Sequence, residues 1–313
     1  MKEPGCVRAA IDTIDEANRA DPTIVTVRGR TGPKEILHAE LVTDWVERLN
    51  PDPDDALRIA ARGHHLRRWT SPRASAPAGR AGYLKWRKQL HAQHARELGE
   101  ILTTAGCDAA TIDRVQALVR KDGLGRPGAD PAVQVLEDAL CLVFLETQLL
   151  DVAARLEPET LSSVVVKTAR KMSADGRAHI ADVPLEPGAR RMLESALARD
   201  AVERYLAALP AADETAIAAT LAPDIERIGP YGDVYRGRDA YAAFLAATIS
   251  ALPNYVLAVE RLIADGAVVA VELSETVDFE GRRRHTDETV VFDVADGLIT
   301  KVAVYLQKSV IQD

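Results

Sequence analysis

Five of the chain's seven histidines fall between positions 38 and 94: His38, His64, His65, His91 and His94. Imidazole is the commonest nitrogen ligand for zinc, iron and manganese, and carboxylates complete such sites. His91 and His94 are three apart in a helical pattern and therefore share a face. His38 lies in ILHAELV and the His64–His65 pair in RIAARGHHLRRW, on or at the ends of helical segments. Glu137 and Asp138 interrupt the apolar run VLEDALCLVFL, where a carboxylate is costly to bury unless paired or metal-bound. A single helical histidine is more often a surface or hydrogen-bonded core residue, and His91 keeps that reading.

Nine basic residues stand between Arg62 and Arg96 with no Asp or Glu among them, although the whole chain carries −8. An acidic protein with one cationic block is no general nucleic-acid binder. The block suggests a small anionic ligand, or else a solvated helix face that pairs with acidic helices.

These residues must be positioned by two kinds of element. Before about residue 195, apolar residues recur at three and four, as in LHAQHARELGEILTTA and VQVLEDALCLVFLETQLLDVAARL, which predicts helices throughout. After Ala251, runs such as AVVAVELSETVDF and TDETVVFDVA alternate between turn signals ADG, FEGR and ADG, which predicts an antiparallel meander. Two or three more helices fit between Asp200 and Ser250. The reading is two domains, an all-α one over 1–195 and an α+β one over 200–313, with a short linker near Pro184–Pro187. A length of 313 residues agrees with two domains. A hydrophobic fraction of 47% with 27% charged residues excludes disorder, and no apolar run is long enough to span a membrane. The first twenty residues lack the apolar core of a secretory signal. Cys6, Cys107 and Cys141 are odd in number and scattered, so neither a disulfide framework nor a thiolate metal site is expected, and a reducing cytoplasm fits.

The order of a helical His, a His pair after small apolar residues and a late buried acid resembles the HD-type metal-dependent phosphohydrolases. AARGHHL stands in the place of their His–Asp doublet, with His65 where Asp is usual, and LEDALCL resembles the closing segment. That likeness, with the family pattern below, implies His65, His94 and Asp138 as ligands of a divalent ion (zinc, iron or manganese), with His38 or His64 as further ligands. A second resemblance covers residues 8–195: PKEILHAELVTDWVERL, ARGHHLRRWTSPR, GYLKWRKQLHAQHARELGEIL, LEDALCLVFLE and KTARKMSADG resemble the domain of unknown function 4202 family. It implies an HD-like helical fold and points to His65, Trp69, Arg73, Arg80, Tyr83, Trp86, Arg87, His94, Glu137 and Asp138. Arg73, Arg80 and Arg87, with Trp69 and Trp86, are then the substrate-binding candidates, since guanidinium forks recognise phosphate or carboxylate. Glu137 and Tyr83 are the catalytic candidates, although Glu137 could equally pair with a base, and the aromatics could be core or pocket walls.

From Asp200, VERYLAALPAADETAIAATLAPDIERIGPYGDVYRG resembles the SnoaL-like, ketosteroid-isomerase-like (nuclear transport factor 2-like) cone fold: a second helix ending in LAPDI, a third helix, then four curled strands. Tyr205 matches that family's oxyanion-stabilising Tyr, but Gly229 stands where its base Asp would be, so independent isomerase chemistry is not expected. Asp287 or Glu288 lies near the acid position, and His285 beside Arg282–Arg284 reads as an exposed strand edge. The combined expectation is a cytoplasmic metal-dependent enzyme acting on a small anionic substrate by hydrolysis of a phosphate ester, with a homodimer through the cone domain. An iron oxygenase on the same scaffold and a non-catalytic metabolite sensor are the alternatives. Neither nucleic acid nor membrane is an expected partner, and the fusion suggests specialised metabolism by analogy.

Overall fold

The computed structural model describes residues 4–306 and 310–311. Contacts divide the chain into two compact units, one through Leu149 together with Ala169–Val183, the other Leu150–Thr168 together with the chain from Pro184.

The first unit is built on helices α1 (Pro4–Arg19), α2 (Lys34–Leu49), α3 (Asp55–Gly63), α4 (Gly79–Thr104), α5 (Ala109–Arg120) and α6 (Pro131–Ala153). Helix α7 (Pro158–Lys171) falls mostly in the second unit, whereas the short α8 (Ala174–Ala178) belongs to the first. Acidic N-caps start two of these helices: Asp54 accepts from the Leu57 N–H at 3.0 Å, and Asp108 from the Thr111 N–H at 2.9 Å. The apolar stripes meet in a core containing Ile14, Trp45, Leu57, Leu98, Leu118 and Leu142, all at most 1% exposed. Gly63 lets α3 end against α4, because a Cβ there would overlap the Leu98 side chain. That approach brings the His64–His65 turn up to His94.

Two expectations are corrected here. The unit is not purely helical: β1 (Ile24–Val27) and β2 (Arg30–Pro33) form an antiparallel hairpin before α2, turning at Arg28 and Gly29 with positive φ. Four-residue strands are too short for an alternating signal to emerge from the sequence. The cysteines are also not all free. Cys6 and Cys107 form a disulfide with Cα atoms 5.4 Å apart, leaving only Cys141 unpaired. A separation of 101 residues hid that pairing from local spacing.

The second unit carries α9 (Pro187–Ala208), which runs unbroken across the boundary expected at 195–200, then α10 (Glu214–Ala218), β3 (Leu221–Ile228), β4 (Val234–Arg236) and α11 (Arg238–Ser250). The meander β5 (Val256–Asp265), β6 (Val268–Phe279), β7 (Arg282–Ala295) and β8 (Leu298–Leu306) follows, with β9 (Val310–Ile311) pairing β7. The strand order is β4-β3-β8-β7-β6-β5, antiparallel except for the parallel β3–β8 pair. Glu280–Gly281 and Asp296–Gly297 take positive φ at both turn positions, as two-residue hairpins require. The LAPDI segment is strand rather than helix end, since α10 stops at Ala218 and Leu221 already pairs with Ile299. Nor is His285 at a free edge: it pairs with Thr276 on β6 and with Val310 on β9. Among the described residues, no helix is long and apolar enough to cross a membrane.

Candidate functional site

In the helical unit, three imidazoles converge. One ring nitrogen each from His38, His64 and His65 lies within 4.8 Å of the others. The rings of His38 and His65 stack at 4.7 Å, and those of His64 and His65 lie 4.3 Å apart. His38 comes from the inner face of α2, and His64 caps the C-terminus of α3. Its Nδ1 sits 2.9 Å from the Ala61 carbonyl oxygen, satisfying one of the orphan acceptors at a helix end. The proton is thereby fixed on Nδ1, and Nε2 keeps its lone pair. His65 Nδ1 lies 3.2 Å from Glu35 Oε2, an acid one turn before His38 on α2. Asp21 holds that helix start in place, accepting from the Glu35 N–H at 3.0 Å.

Four ring nitrogens here lack hydrogen-bond partners. His38 Nδ1, His64 Nε2 and both ring nitrogens of His94 are buried with none. The His94 ring lies 6.0 Å from that of His65, outside the closest trio. Burial pushes the His38, His64 and His65 pKa values down, and that of His94 down to about 4, so all four rings are neutral near pH 7. Burial raises the pKa of Glu35, with His38 opposing.

The expected fifth ligand goes elsewhere. Both Asp138 oxygens are occupied: Oδ1 accepts from the Ser173 N–H at 2.9 Å and from Gln134 at 2.8 Å, and Oδ2 accepts from the Ser173 hydroxyl at 2.5 Å. Gly176 leaves the room for this contact, since a Cβ there would meet the carboxylate. Asp138 therefore pins the start of α8 and does not join the histidines. Glu137 is just 3% exposed and ion-paired with Lys121, so its carboxylate is already committed. Arg73 donates to the Ala76, Pro77 and Gly79 carbonyls, holding a loop. Tyr83 is 41% exposed, with the Arg73 guanidinium 5.8 Å from its ring. Arg80 is exposed, while Trp69, Trp86 and Arg87 are half-buried. Arg87 acts electrostatically on His91, whose pKa burial brings down to about 4. Sequence reasoning missed Glu35 and Arg68. Arg68 stands 4.5 Å over Trp86 and is the arginine whose charge is felt by His38, His65 and His94. The signal for Glu35 was available in its i, i+3 spacing to His38.

The cone unit holds a partly open cavity of about 210 Å³ whose polar lining includes Tyr205, Arg227, Tyr241, Tyr255, Glu275 and Glu288, against walls of Leu, Val and Phe. Glu275 on β6 stands opposite Thr286, and Glu288 on β7 opposite Leu273. The two acids are therefore diagonal neighbours on one face, within side-chain reach. The Tyr255 hydroxyl donates to Glu275 Oε1 at 2.6 Å. Burial, with Glu275 beside it, pushes the Glu288 carboxyl up to about 8. The Tyr205 and Tyr241 hydroxyls are 2.7 Å apart, and burial raises both phenols, Tyr241 to about 12. Gly229 does lack a base, and the place is taken: a Cβ there would overlap the Arg227–Asp233 ion pair. The acid pair was legible as a parity signal, because Glu275 and Glu288 continue the inward positions of Leu273 and Val290.

Comparison with known proteins follows the same division. A SnoaL-like domain profile matches residues 202–302. Three solved structures are similar to part of the chain. An LEH-like epoxide hydrolase of M. tuberculosis is 28% identical over 36% of this chain and 83% of its own, with a TM-score of 0.33. An NTF2-like protein of Burkholderia xenovorans is 23% identical over 36% and 89%, with a TM-score of 0.31. A protein of Catenulispora acidiphila with a ketosteroid isomerase-like fold is 17% identical over 34% and 84%, with a TM-score of 0.32. A search of curated proteins gives no match. The helical region is matched over residues 8–193 by the family described as a domain of unknown function, DUF4202. Because that match spans more than half of the chain, the protein belongs to the DUF4202 family and carries a SnoaL-like domain after the family region.

Proposed function

We propose that the cone domain is an acid–base site for a neutral, largely apolar small molecule. The observation that carries this reading is the pair Glu275–Glu288, two carboxyl groups lining one cavity and close enough to share a single proton. A carboxylate and a neutral carboxyl side by side can act together on a carbonyl compound. Glu275 takes a proton from the carbon next to the carbonyl while Glu288 gives its proton to the carbonyl oxygen, yielding an enol. The pair holds one proton before and after the step, and the reverse step returns the ketone. Tyr255 holds Glu275 in place, and the apolar walls suit a largely apolar ligand body. The test uses cyclohexanone in deuterium oxide, with exchange of its α-hydrogens followed by proton NMR. Glu275→Gln and Glu288→Gln should each slow protein-dependent exchange by about 10²–10⁴-fold. Wild-type protein exchanging no faster than buffer removes the reading.

A second reading concerns the helical domain and is favoured by Arg68 beside the histidines. There the substrate is a small anion, and the reaction is hydrolysis of a phosphate ester. The buried unpartnered nitrogens of His38 and His64, with His65 oriented by Glu35, fit a divalent ion. Such an ion supplies Lewis acidity and activates water near neutral pH. Arg68, half-buried over Trp86, offsets the substrate's negative charge, and His94 faces it with a neutral ring.

A further inference from the structure

We infer that His38, His64 and His65 form a three-imidazole site for a first-row divalent ion, with Glu35 as its positioning residue and no ligand from Asp138. The second reading above depends on this site, whereas the site does not depend on that reading.

Three observations carry the inference independently of any likeness. The first is convergence, with three ring nitrogens mutually within 4.8 Å. Three nitrogen donors brought this close together are the spacing that a single bound ion requires. The second is dissatisfaction: His38 Nδ1 and His64 Nε2 are buried with no donor near them. A buried polar atom with no partner is costly, so two together in one spot call for a compensating partner. The third is orientation. The Nδ1 proton of His64 is held by the Ala61 carbonyl, and the Nδ1 of His65 by the Glu35 carboxylate. Ligating histidines are held in this way, with the far nitrogen donating to a carbonyl or carboxylate and the near one free for the metal. Helix α3 contributes one such histidine through its C-terminus and α2 supplies both His38 and Glu35, so the set sits on rigid elements.

The donor set selects the ion. Three neutral nitrogens and no thiolate suit zinc, cobalt, iron or nickel better than magnesium or calcium, which prefer oxygen. Three protein ligands also leave a position open, the arrangement of reactive rather than structural zinc sites. His94, with both nitrogens unpartnered, lies on the side of His65 and is the next donor outward.

The test uses full-length, tag-free protein stripped with a chelator. Calorimetric titration with zinc should give one site per chain, and cobalt should give a visible nitrogen-ligand spectrum. His38→Ala and His64→Ala should each weaken zinc binding at least 100-fold, and Glu35→Gln about 10–100-fold. Asp138→Asn should leave affinity within threefold and His94→Ala should weaken it less than His64→Ala. Circular dichroism checks folding, and wild-type cobalt titration needs no variant. Wild-type protein that binds neither ion stoichiometrically at micromolar concentration overturns the site, and so does loss of binding in Asp138→Asn alone. Stoichiometric zinc without hydrolysis of p-nitrophenyl phosphate leaves the site standing and removes only the hydrolytic reading.

Discussion

The histidine cluster and the cone cavity both bury titratable groups, and the same force drives their protonation in opposite directions. Desolvation disfavours the charged form of either group. In the helical unit it strips protons from His38, His64, His65 and His94 and leaves lone pairs. In the cone it keeps a proton on Glu288 and leaves an acidic O–H. One burial effect thus yields a Lewis-basic site and a Brønsted-acidic site. What differs is residue type, together with the neighbours that could have restored charge: Glu35 is a single acid beside several imidazoles, and Glu275 is a second acid beside the first.

Glu137 breaks the pattern and tests it hardest. It is buried to 3% exposure, yet it is ion-paired with Lys121 rather than left among neutral groups. Lys121→Met should therefore destabilise the protein by about 3–5 kcal/mol, by leaving that carboxylate unpaired in the interior. Denaturant unfolding of Lys121→Met and of Lys121→Met/Glu137→Leu separates the causes. Recovery of most of the loss in the double variant shows that the unpaired charge was the penalty. Equal instability in both would assign the loss to packing at the end of α5 instead.

The pH dependence should split the two regions. His94 titrates near 4 in the folded chain and near 6.5 unfolded, so between these values the unfolded state binds more protons. In metal-free protein that contribution falls as pH drops from 6.5 to 4, by on the order of 2–3 kcal/mol. Glu288 runs the other way. Its folded pKa near 8 lies above the ordinary 4.5, so its contribution is fully present below pH 4.5 and is lost as pH rises to 8. Because the group is partly exposed, the loss is on the order of 2 kcal/mol rather than the full linkage value. Glu288→Gln should flatten the upper window, and His94→Gln the lower one. A Glu288→Gln protein whose upper window keeps the wild-type slope would show that the cavity acid is not the group titrating there.

Much of this was legible in the sequence and some was not. Periodicity exposed α2, α4 and α6, and the turn pairs marked the meander, because both signals are local. The histidine-rich region was also legible, because chemistry-bearing residue types stand out against an Ala- and Leu-rich helix. The sequence put His65, His94 and Asp138 first, however, and did not separate out the trio His38, His64 and His65. Asp138 misled, since a buried acid reads the same whether it binds an ion or pins Ser173 at the start of α8. The Cys6–Cys107 bond, the β1–β2 hairpin and the Glu35–His65 contact all depend on tertiary approach, such as the one Gly63 permits. In the cone, Glu288 was singled out together with Asp287, but its partner Glu275 was not, because that contact is made across two strands.

The smallest expected effect concerns the basic block, where composition weighted all nine charges alike. Burial separates them. Arg62 is locked to Asp15 through both oxygens, at 2.5 and 2.8 Å, and Arg73 to loop carbonyls, while Arg80 is exposed. Arg68 alone in this comparison is half-buried over an aromatic ring and coupled to the histidines. An exposed cation loses little when truncated, so Arg80→Ala should change stability by about 0–1 kcal/mol. Inorganic phosphate serves as the probe of anion binding, read as a shift in Tm of zinc-loaded protein. Wild type and Arg80→Ala should shift alike, and Arg68→Ala should shift less than either. The reverse pattern, with phosphate stabilisation lost in Arg80→Ala and kept in Arg68→Ala, would move the anion site out of the histidine cluster and onto the start of α4.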